Sequence, residues 1–427
     1  MRETIRETRS ICPVCGKNLP AVLRKDEAGA VYLERTCSEH GAFSVPVWRG
    51  DLDFDAWTRG AEPLGDRGQG CPGNCGLCPE HESESCCVLL EVTRRCDLNC
   101  RFCFAQGGAG EDIPAAELKA AIRDIAETCG GPLLQLSGGE PTLRDDLPEL
   151  AAWAKAAGCS FVQVNTNGLR LAREPEYARR LAEAGADILF LQFDGTREDI
   201  YETLRGRPLL EAKKAAVQAG IAAGLGVTLV PTVVPGVNDD DLGDLVRFAA
   251  SLAPGVRGVH FQPVSYFGRY PGRPEAEDRY TLDRLMADLC RQLGVEPESF
   301  MPSRCDHPLC GFHARYLIGP GGKLQALSNV NNTPRTRGTA RENREFVARQ
   351  WRKAEPAPRP VTYGEDMDFD TFLTAVRQGS LTLSAMAFQD ALNLNLERLH
   401  RCSLHVYDGG RVQPFCARYL TLMEAVE

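Results

Sequence analysis

Nothing in the 427-residue chain approaches the ~18 consecutive apolar residues that mark a membrane-spanning helix. The opening stretch MRETIRE is charged and lacks the apolar centre of a secretion signal. Positive charge is in short supply: 49 Lys and Arg against 58 Asp and Glu leave a net charge of -9. That balance offers no basic stripe, so nucleic acid is not an expected partner. Against these absences stand 18 cysteines. Such a number suits either a secreted disulfide scaffold or metal and cluster ligation. Without a secretion signal, cytoplasmic metal chemistry is the expectation. The length leaves room for one large core plus one or two small modules, because domains usually run to ~100–200 residues.

The amino-terminal residues read as a small metal-binding ribbon. Cys12 and Cys15 flank a Pro-Val turn, and Cys37 and His40 form a second pair. Between them the apolar runs at 21–23 and 30–33 flank a turn at 25–29, a hairpin signal. The C-x2-C…C-x2-H spacing fits a tetrahedral site that takes Zn or a single Fe, and so short a module needs the metal for folding. A Gly-rich linker at 60–70 follows, then Cys71, Cys75, Cys78, His81, Cys86 and Cys87. Cys71, Cys75, Cys78 and Cys86 are expected to hold an auxiliary [4Fe-4S] cluster. His81 could replace one cysteine there, and Cys71 could join the first site if His40 is not a ligand. Cys87 is expected in the core.

The chain is organised around the next group, Cys96, Cys100 and Cys103, at the end of an apolar run at 88–92. Three thiolates on a tight CxxxCxxC loop can hold three irons of a [4Fe-4S] cube and leave the fourth open. Phe102 adds an apolar wall. Strand-like runs then recur at 87–92, 133–136, 161–165, 188–193, 227–231 and 258–262, separated by helical segments at 114–127, 146–157, 176–184, 209–223 and 241–249. That alternation predicts a parallel sheet, and its extent suits an α/β partial (β/α)6 barrel with the site at the strand ends. Gly138, Gly139 and Glu140 follow the second strand. Asn165 ends the third, Gln192 and Asp194 the fourth, and Val264 follows the sixth.

The cluster loop and the Gly-Gly-Glu after the second strand resemble the radical S-adenosylmethionine (radical SAM) superfamily. The resemblance implies that the open iron chelates SAM, which an electron cleaves to methionine and a 5'-deoxyadenosyl radical. It implies that Gly138, Gly139 and Glu140 contact the SAM amino group. Asn165 and Gln192 or Asp194 would then face its methionine and ribose portions, and Val264 would flank the adenine. An external electron donor such as flavodoxin or ferredoxin is implied as partner. Arg205, Arg207 and Lys213, just beyond the fourth strand, could approach a carboxylate or phosphate or simply be solvated.

Beyond the barrel, Cys305, His307 and Cys310 sit in a turn-rich segment, with one more strand at 314–318. Residues 368–399 are apolar enough to fold back on the barrel. A hairpin turning at Asp408, Gly409 and Gly410 carries Cys402, His405 and Cys416. Cys305, Cys310, Cys402 and Cys416 are expected to hold a second auxiliary cluster, with His307 and His405 as hydrogen-bond donors or alternative ligands. Cys129, Cys159 and Cys290 read as structural. The expected organisation is a rubredoxin-like or zinc-ribbon-like module at 1–60 and an auxiliary-cluster segment at 61–87. The barrel at 88–295 and a cluster-binding extension at 296–427 complete it.

Taken together, this distribution resembles the tetraether lipid synthase group, whose relatives include methyltransferases acting on a pterin precursor. The resemblance implies hydrogen abstraction from an unactivated carbon for C–C bond formation on a lipid alkyl or acyl chain. Transient membrane contact by an otherwise cytoplasmic enzyme would follow, with Phe372, Leu373, Met386, Phe388, Leu392 and Leu394 available to line an apolar tunnel, although side chains at this spacing more often pack as core. The alternative is methyl or methylene transfer to a pterin precursor. Anaerobically reconstituted protein should carry three [4Fe-4S] clusters and one mononuclear Fe or Zn. Iron and sulfide analysis with Mössbauer spectroscopy checks this, and about four irons per chain would remove both auxiliary clusters.

Overall fold

The computed structural model describes residues 2–61, 70–73, 76, 78–272, 274–275, 278–331, 338–352 and 369–423, so Cys75 lies outside the described residues. The ribbon is an antiparallel sheet of β1 (Glu3–Ile11), β2 (Asn18–Lys25), β3 (Val31–Cys37) and β4 (Gly41–Trp48) in sequential order. Its expected hairpin is present. The Asp26 carboxylate accepts from the amides of Ala28 and Ala30 at 3.0 and 2.9 Å, and Gly29 supplies the positive φ. Leu23, Val31, Leu33, Val45 and Trp48 are buried on one face.

The parallel sheet runs through β5 (Cys87–Arg95), β6 (Leu133–Gly138), β7 (Phe161–Thr166), β8 (Ile188–Gln192), β9 (Gly226–Val230) and β10 (Val256–Pro263). These are the six expected strands, each paired with the next in parallel. Helices α1 (Ala115–Thr128), α2 (Leu147–Ala156), α3 (Pro175–Glu183), α4 (Leu210–Ala222) and α5 (Leu242–Ser251) form the connections. Helix α1 shows why they pack there: Leu118, Ala121, Ile122 and Ile125 bury a single stripe at helical spacing.

A six-stranded open sheet leaves two edges, and both are covered by chain from beyond the barrel. Strand β11 (Gly311–Ile318) pairs antiparallel with β12 (Ser380–Met386), which in turn lies parallel to β10. At the opposite edge β13 (Leu404–Asp408) lies parallel to β5 and turns into β14 (Arg411–Pro414). The segment after 295 therefore contributes a seventh and an eighth parallel strand to the barrel sheet. Helix α6 (Leu282–Leu293) ties the ribbon to the barrel, because Asp283 Oδ2 accepts from the amides of Arg49, Gly50 and Asp51 at 2.8–3.1 Å. Helix α7 (Ala340–Trp351) stops the lower end, packing Trp351 against Leu133, Phe161 and Ile188 at the starts of β6, β7 and β8.

The strands alternate where a sheet buried on both faces would be apolar throughout. Val88, Leu90, Leu134, Leu136, Val162, Val164, Leu189 and Leu191 face the helices. Gln135, Gln163, Asn165, Gln192 and His260 line a central cavity of about 360 Å³. The lumen is largely apolar and carries a few fixed polar side chains, inside an apolar jacket. No helix among the described residues is long and apolar enough to cross a membrane.

The segment joining β12 to β13 is held by a buried ion pair. Arg279 donates from Nη1 and Nη2 to the two oxygens of Asp390, both at 2.7 Å, and Asp390 also accepts from the amides of Tyr266 and Leu392 at 3.0 Å. Removing one partner strands the other charge in the core. Arg279→Ala should destabilise the fold by ~3–5 kcal/mol, seen as a clear fall in the thermal midpoint. Arg341→Ala, which removes an exposed pair with Glu345, should shift stability by under ~0.5 kcal/mol.

Candidate active site and metal centres

Cys96, Cys100 and Cys103 all line the central cavity, on the loop that leaves β5. Backbone bonds fix each in turn. The Cys96 amide donates to the Gly108 carbonyl at 2.9 Å, Arg269 Nε to the Cys100 carbonyl at 3.0 Å, and Cys103 and Arg269 exchange two bonds of 2.9 Å. Leu98 anchors the loop in a pocket with Leu169, Tyr201 and Leu209. Phe102 stands edge-on to Tyr266, with ring centres 6.2 Å apart. Burial pushes the Cys96 thiol up to about 12. Three soft donors around one cavity fit an iron–sulfur cluster.

The turn after β6 explains its two glycines. A Cβ on Gly138 would lie 2.3 Å from the Thr93 carbonyl oxygen, and one on Gly139 would lie 2.1 Å from that of Arg95. The close approach is to the end of β5 itself, where the amides of Gly139 and Glu140 donate to those same carbonyls at 2.9 and 2.7 Å. Glu140 is buried and heavily engaged. Its Oε1 accepts from the Thr142 amide and hydroxyl and the Thr166 hydroxyl at 3.0, 2.6 and 2.7 Å, and Oε2 accepts from the Asn167 amide at 2.6 Å. Burial raises its carboxyl against the pull of those donors. Glu140 thus locks the ends of β6 and β7 together while lining the cavity.

Asn165, Gln192 and Val264 also line the cavity, Val264 held by its amide on the Val233 carbonyl at 2.9 Å. Asp194 differs from the expectation. Its carboxylate is taken by Arg205 through bonds of 2.7 and 2.5 Å and by the Thr232 amide at 3.1 Å, and it stands behind the cavity wall. Arg205 lines the cavity in its place. Burial opposes the charge on Arg205, but Asp194 and Cys100 beside it prevail and raise its pKa. Lys213 is wholly buried, donating to the Asn167 carbonyl and Gln192 Oε1 at 2.5 and 2.8 Å, and burial lowers it to about 8. Arg207 stays exposed. Both buried cations had a signal in the sequence. Arg205 shares a helix stripe with Tyr201 and Leu204, and Lys213 shares one with Ala216 and Val217.

In the ribbon, the ligand atoms of Cys12, Cys15, Cys37 and His40 all lie within 4.8 Å of one another. His40 Nδ1 is 3.6 Å from the sulfurs of both Cys12 and Cys37, and Cys15 and Cys37 are 4.0 Å apart. Those spacings fit a tetrahedral ion with ~2.3 Å sulfur bonds. His40 is thereby placed with the ribbon set, and Cys71 elsewhere.

The remaining cysteines group differently from the expectation. Cys71 lies 3.3 Å from His400 Nε2. Cys86 interacts with Cys305, because Ser403 joins the two segments: its carbonyl accepts from the Cys86 amide at 2.9 Å, and its amide and hydroxyl donate to Asp306 Oδ1 at 2.7 and 2.9 Å. Cys86, Cys87 and Cys305 all line the lower lumen, so Cys87 is not plain core. Cys310, Cys402 and Cys416 share a second, smaller cavity, in which Asp306 stands where Cys305 was expected. Arg398 Nε and the Gln389 amide donate to the sulfurs of Cys310 and Cys416 at 3.4 and 3.3 Å. His307 caps a helical turn through the Leu309 amide, and His405 bonds Ser85 and His81.

Comparison with known proteins identifies the family. Residues 90–249 match the radical SAM superfamily and residues 4–49 an HMPTM N-terminal zinc ribbon domain. The 7,8-dihydro-6-hydroxymethylpterin dimethyltransferase of Methanocaldococcus jannaschii is 31% identical over 98% of this chain and 94% of its own. The Fe-coproporphyrin III synthase of Methanosarcina barkeri is 41% identical over 28% of this chain and 30% of its own. Among solved structures, anSMEcpe with bound AdoMet aligns at 15% identity over 49% of this chain and 59% of that one, with a TM-score of 0.40.

The chain belongs to the radical SAM superfamily of enzymes. Membership brings SAM and a [4Fe-4S] cluster as cofactors. Within the superfamily the similarity to the pterin dimethyltransferase spans nearly the whole chain, ribbon included. Glu140→Ala should lower SAM affinity at least ~10-fold and also lower the thermal midpoint, since four hydrogen bonds go with it, two of them linking the ends of β6 and β7. Equilibrium dialysis and thermal unfolding of cluster-loaded protein measure the two effects. A stability loss with unchanged affinity would leave Glu140 a purely structural brace.

Proposed function

We propose that this enzyme transfers a methyl or methylene carbon to a pterin precursor by radical SAM chemistry. The observation that carries the reading is the end-to-end similarity to the pterin dimethyltransferase. The cluster, when bound, supplies the electron that cleaves SAM to a 5'-deoxyadenosyl radical. Cys96, Cys100 and Cys103 hold it at the cavity mouth. Glu140 has one oxygen with a single protein donor, leaving a lone pair for an ammonium. Arg205, aimed by Asp194, presents a fixed cation to a carboxylate beside Cys100. The largely apolar lumen limits water around a reactive radical and holds substrate close to where it forms. Cys71 and Cys78, with Cys86 or Cys305, and the trio Cys310, Cys402 and Cys416 are ligands for two auxiliary [4Fe-4S] clusters. A flavodoxin- or ferredoxin-type donor reduces the enzyme.

The alkyl-chain reading draws less support. Leu394 is fully buried in a core with Leu396 and Leu399, and Leu392 packs against the main core, so neither lines the lumen. Met386 and Phe388 do reach it. SAM cleaved to 5'-deoxyadenosine keeps its methyl on methionine, so the transferred carbon comes from a second SAM or from another one-carbon donor. Anaerobic turnover with SAM, a chemical reductant and 7,8-dihydro-6-hydroxymethylpterin, with deuterium either on the SAM methyl or on the methylene of added methylenetetrahydrofolate, should give 5'-deoxyadenosine and, in one of the two arms, a heavier pterin carrying the label, read by mass spectrometry. Accumulating 5'-deoxyadenosine beside a pterin of unchanged mass would overturn the pterin reading.

A further inference from the structure

The lower lumen has a chemical character that the SAM-binding strand ends do not explain. Gln135 and Gln163 sit side by side in register on β6 and β7. Gln163 Nε2 donates to Asn165 Oδ1 at 2.7 Å, and Asn165 Nδ2 donates to Gln135 Oε1 at 3.3 Å. That leaves Gln163 Oε1 and Gln135 Nε2, an acceptor and a donor, without a partner among the described residues, both on side chains that line the cavity. Across the lumen His260 on β10 uses Nδ1 on the Ser384 hydroxyl at 2.7 Å, so Nε2 is the nitrogen left for the cavity. Each of these atoms opens onto the cavity instead of being sealed in the protein, so an acceptor, a donor and an imidazole nitrogen face one chamber ready for a ligand. Burial lowers His260 to about 4, so the ring is neutral and its free nitrogen meets an uncharged group without burying a charge.

The rest of the wall is flat. His260 lies 5.0 Å from the Phe190 ring and 6.5 Å from Trp351, and all three line the cavity. Gln163 is two residues below Asn165 on the same strand, about 7 Å at ~3.3 Å per residue. The chamber is therefore within one small molecule's length of the strand ends where SAM is expected.

We propose that this lower lumen is the substrate chamber, that Gln135, Gln163 and His260 read the donor–acceptor edge of a flat, uncharged nitrogen heterocycle, and that Phe190 and Trp351 hold its faces. The assignment rests on the pterin reading and deepens it. A primary amide offers a planar donor and acceptor that match the lactam N–H and C=O of an aminopyrimidinone ring. An alkyl chain in the same place would dehydrate these polar atoms and return no hydrogen bonds, so the chamber selects against it.

The test uses full-length, cluster-loaded, SAM-bound protein and fluorescence quenching of 6-hydroxymethylpterin, the aromatic and unreactive form of the ring. Gln163→Leu and His260→Phe should each weaken pterin binding at least ~10-fold, with iron content and circular dichroism confirming that each variant is folded. His260→Asn, which keeps a donor and an acceptor, should recover part of the loss. A fluorescent dodecanoyl probe should bind wild type more weakly than pterin does and should gain affinity in Gln163→Leu. Equal pterin affinity in wild type, Gln163→Leu and His260→Phe would overturn the chamber while leaving the pterin reading standing. Failure of wild type to bind pterin, or tighter binding of the dodecanoyl probe, would overturn both.

Discussion

Gly138 and Gly139 lie so close to the carbonyls of Thr93 and Arg95 that no side chain fits between the turn after β6 and the end of β5. The rest of the site hangs on that contact. On one side of it the chain enters the Cys96–Cys103 loop. On the other it delivers Glu140, whose carboxylate then binds the end of β7 through Thr166 and Asn167. Gly107 continues the arrangement, since a Cβ there would meet Gly139 at 2.7 Å and Cys96 at 3.0 Å. The ends of β5 and β6 and the cluster loop are thus fixed by main-chain contacts, and the end of β7 is tied to them by one buried carboxylate.

Ligand groups built from neighbouring residues were legible in the sequence, and groups assembled across the fold were not. CxxxCxxC followed by a Gly-Gly-Glu turn is a local pattern, and so is a pair of knuckles on either side of a hairpin. The ribbon quartet was read from its spacing, and its ligand atoms meet. The partition of the other cysteines depends on which strands pair. Cys86 meets Cys305 because β13 lies beside β5 and Ser403, just before β13, is bonded by Asp306, a neighbourhood that no spacing rule contains. Asp194 shows a second limit. Its place at a strand end suggested contact with ligand, but a buried arginine eleven residues later takes the carboxylate and occupies the cavity wall itself.

The alternation of the barrel strands was visible in residues such as Gln135, Gln163 and Gln192, each between apolar neighbours. Its meaning needed the curved sheet and what covers it. In an open sheet those amides would be the solvated face. Here the covered edges and helix α7 turn that face inward, and each amide becomes part of a chamber wall. The same inward turn brings His260 and Ser384 together, from strands more than a hundred residues apart in sequence.

The pairing of β13 with β5 sets the order of events during synthesis. Leu404 is the partner of Cys87, so the first barrel strand waits for over three hundred further residues before its outer edge is filled. Contacts of such long range are slow to form, because the closing entropy must be met before the contact returns anything. The six sequential strands find their partners close by in sequence, so the flank of β5 beside Cys86 is the last part of the parallel sheet to be completed, and until then that edge stays unpaired.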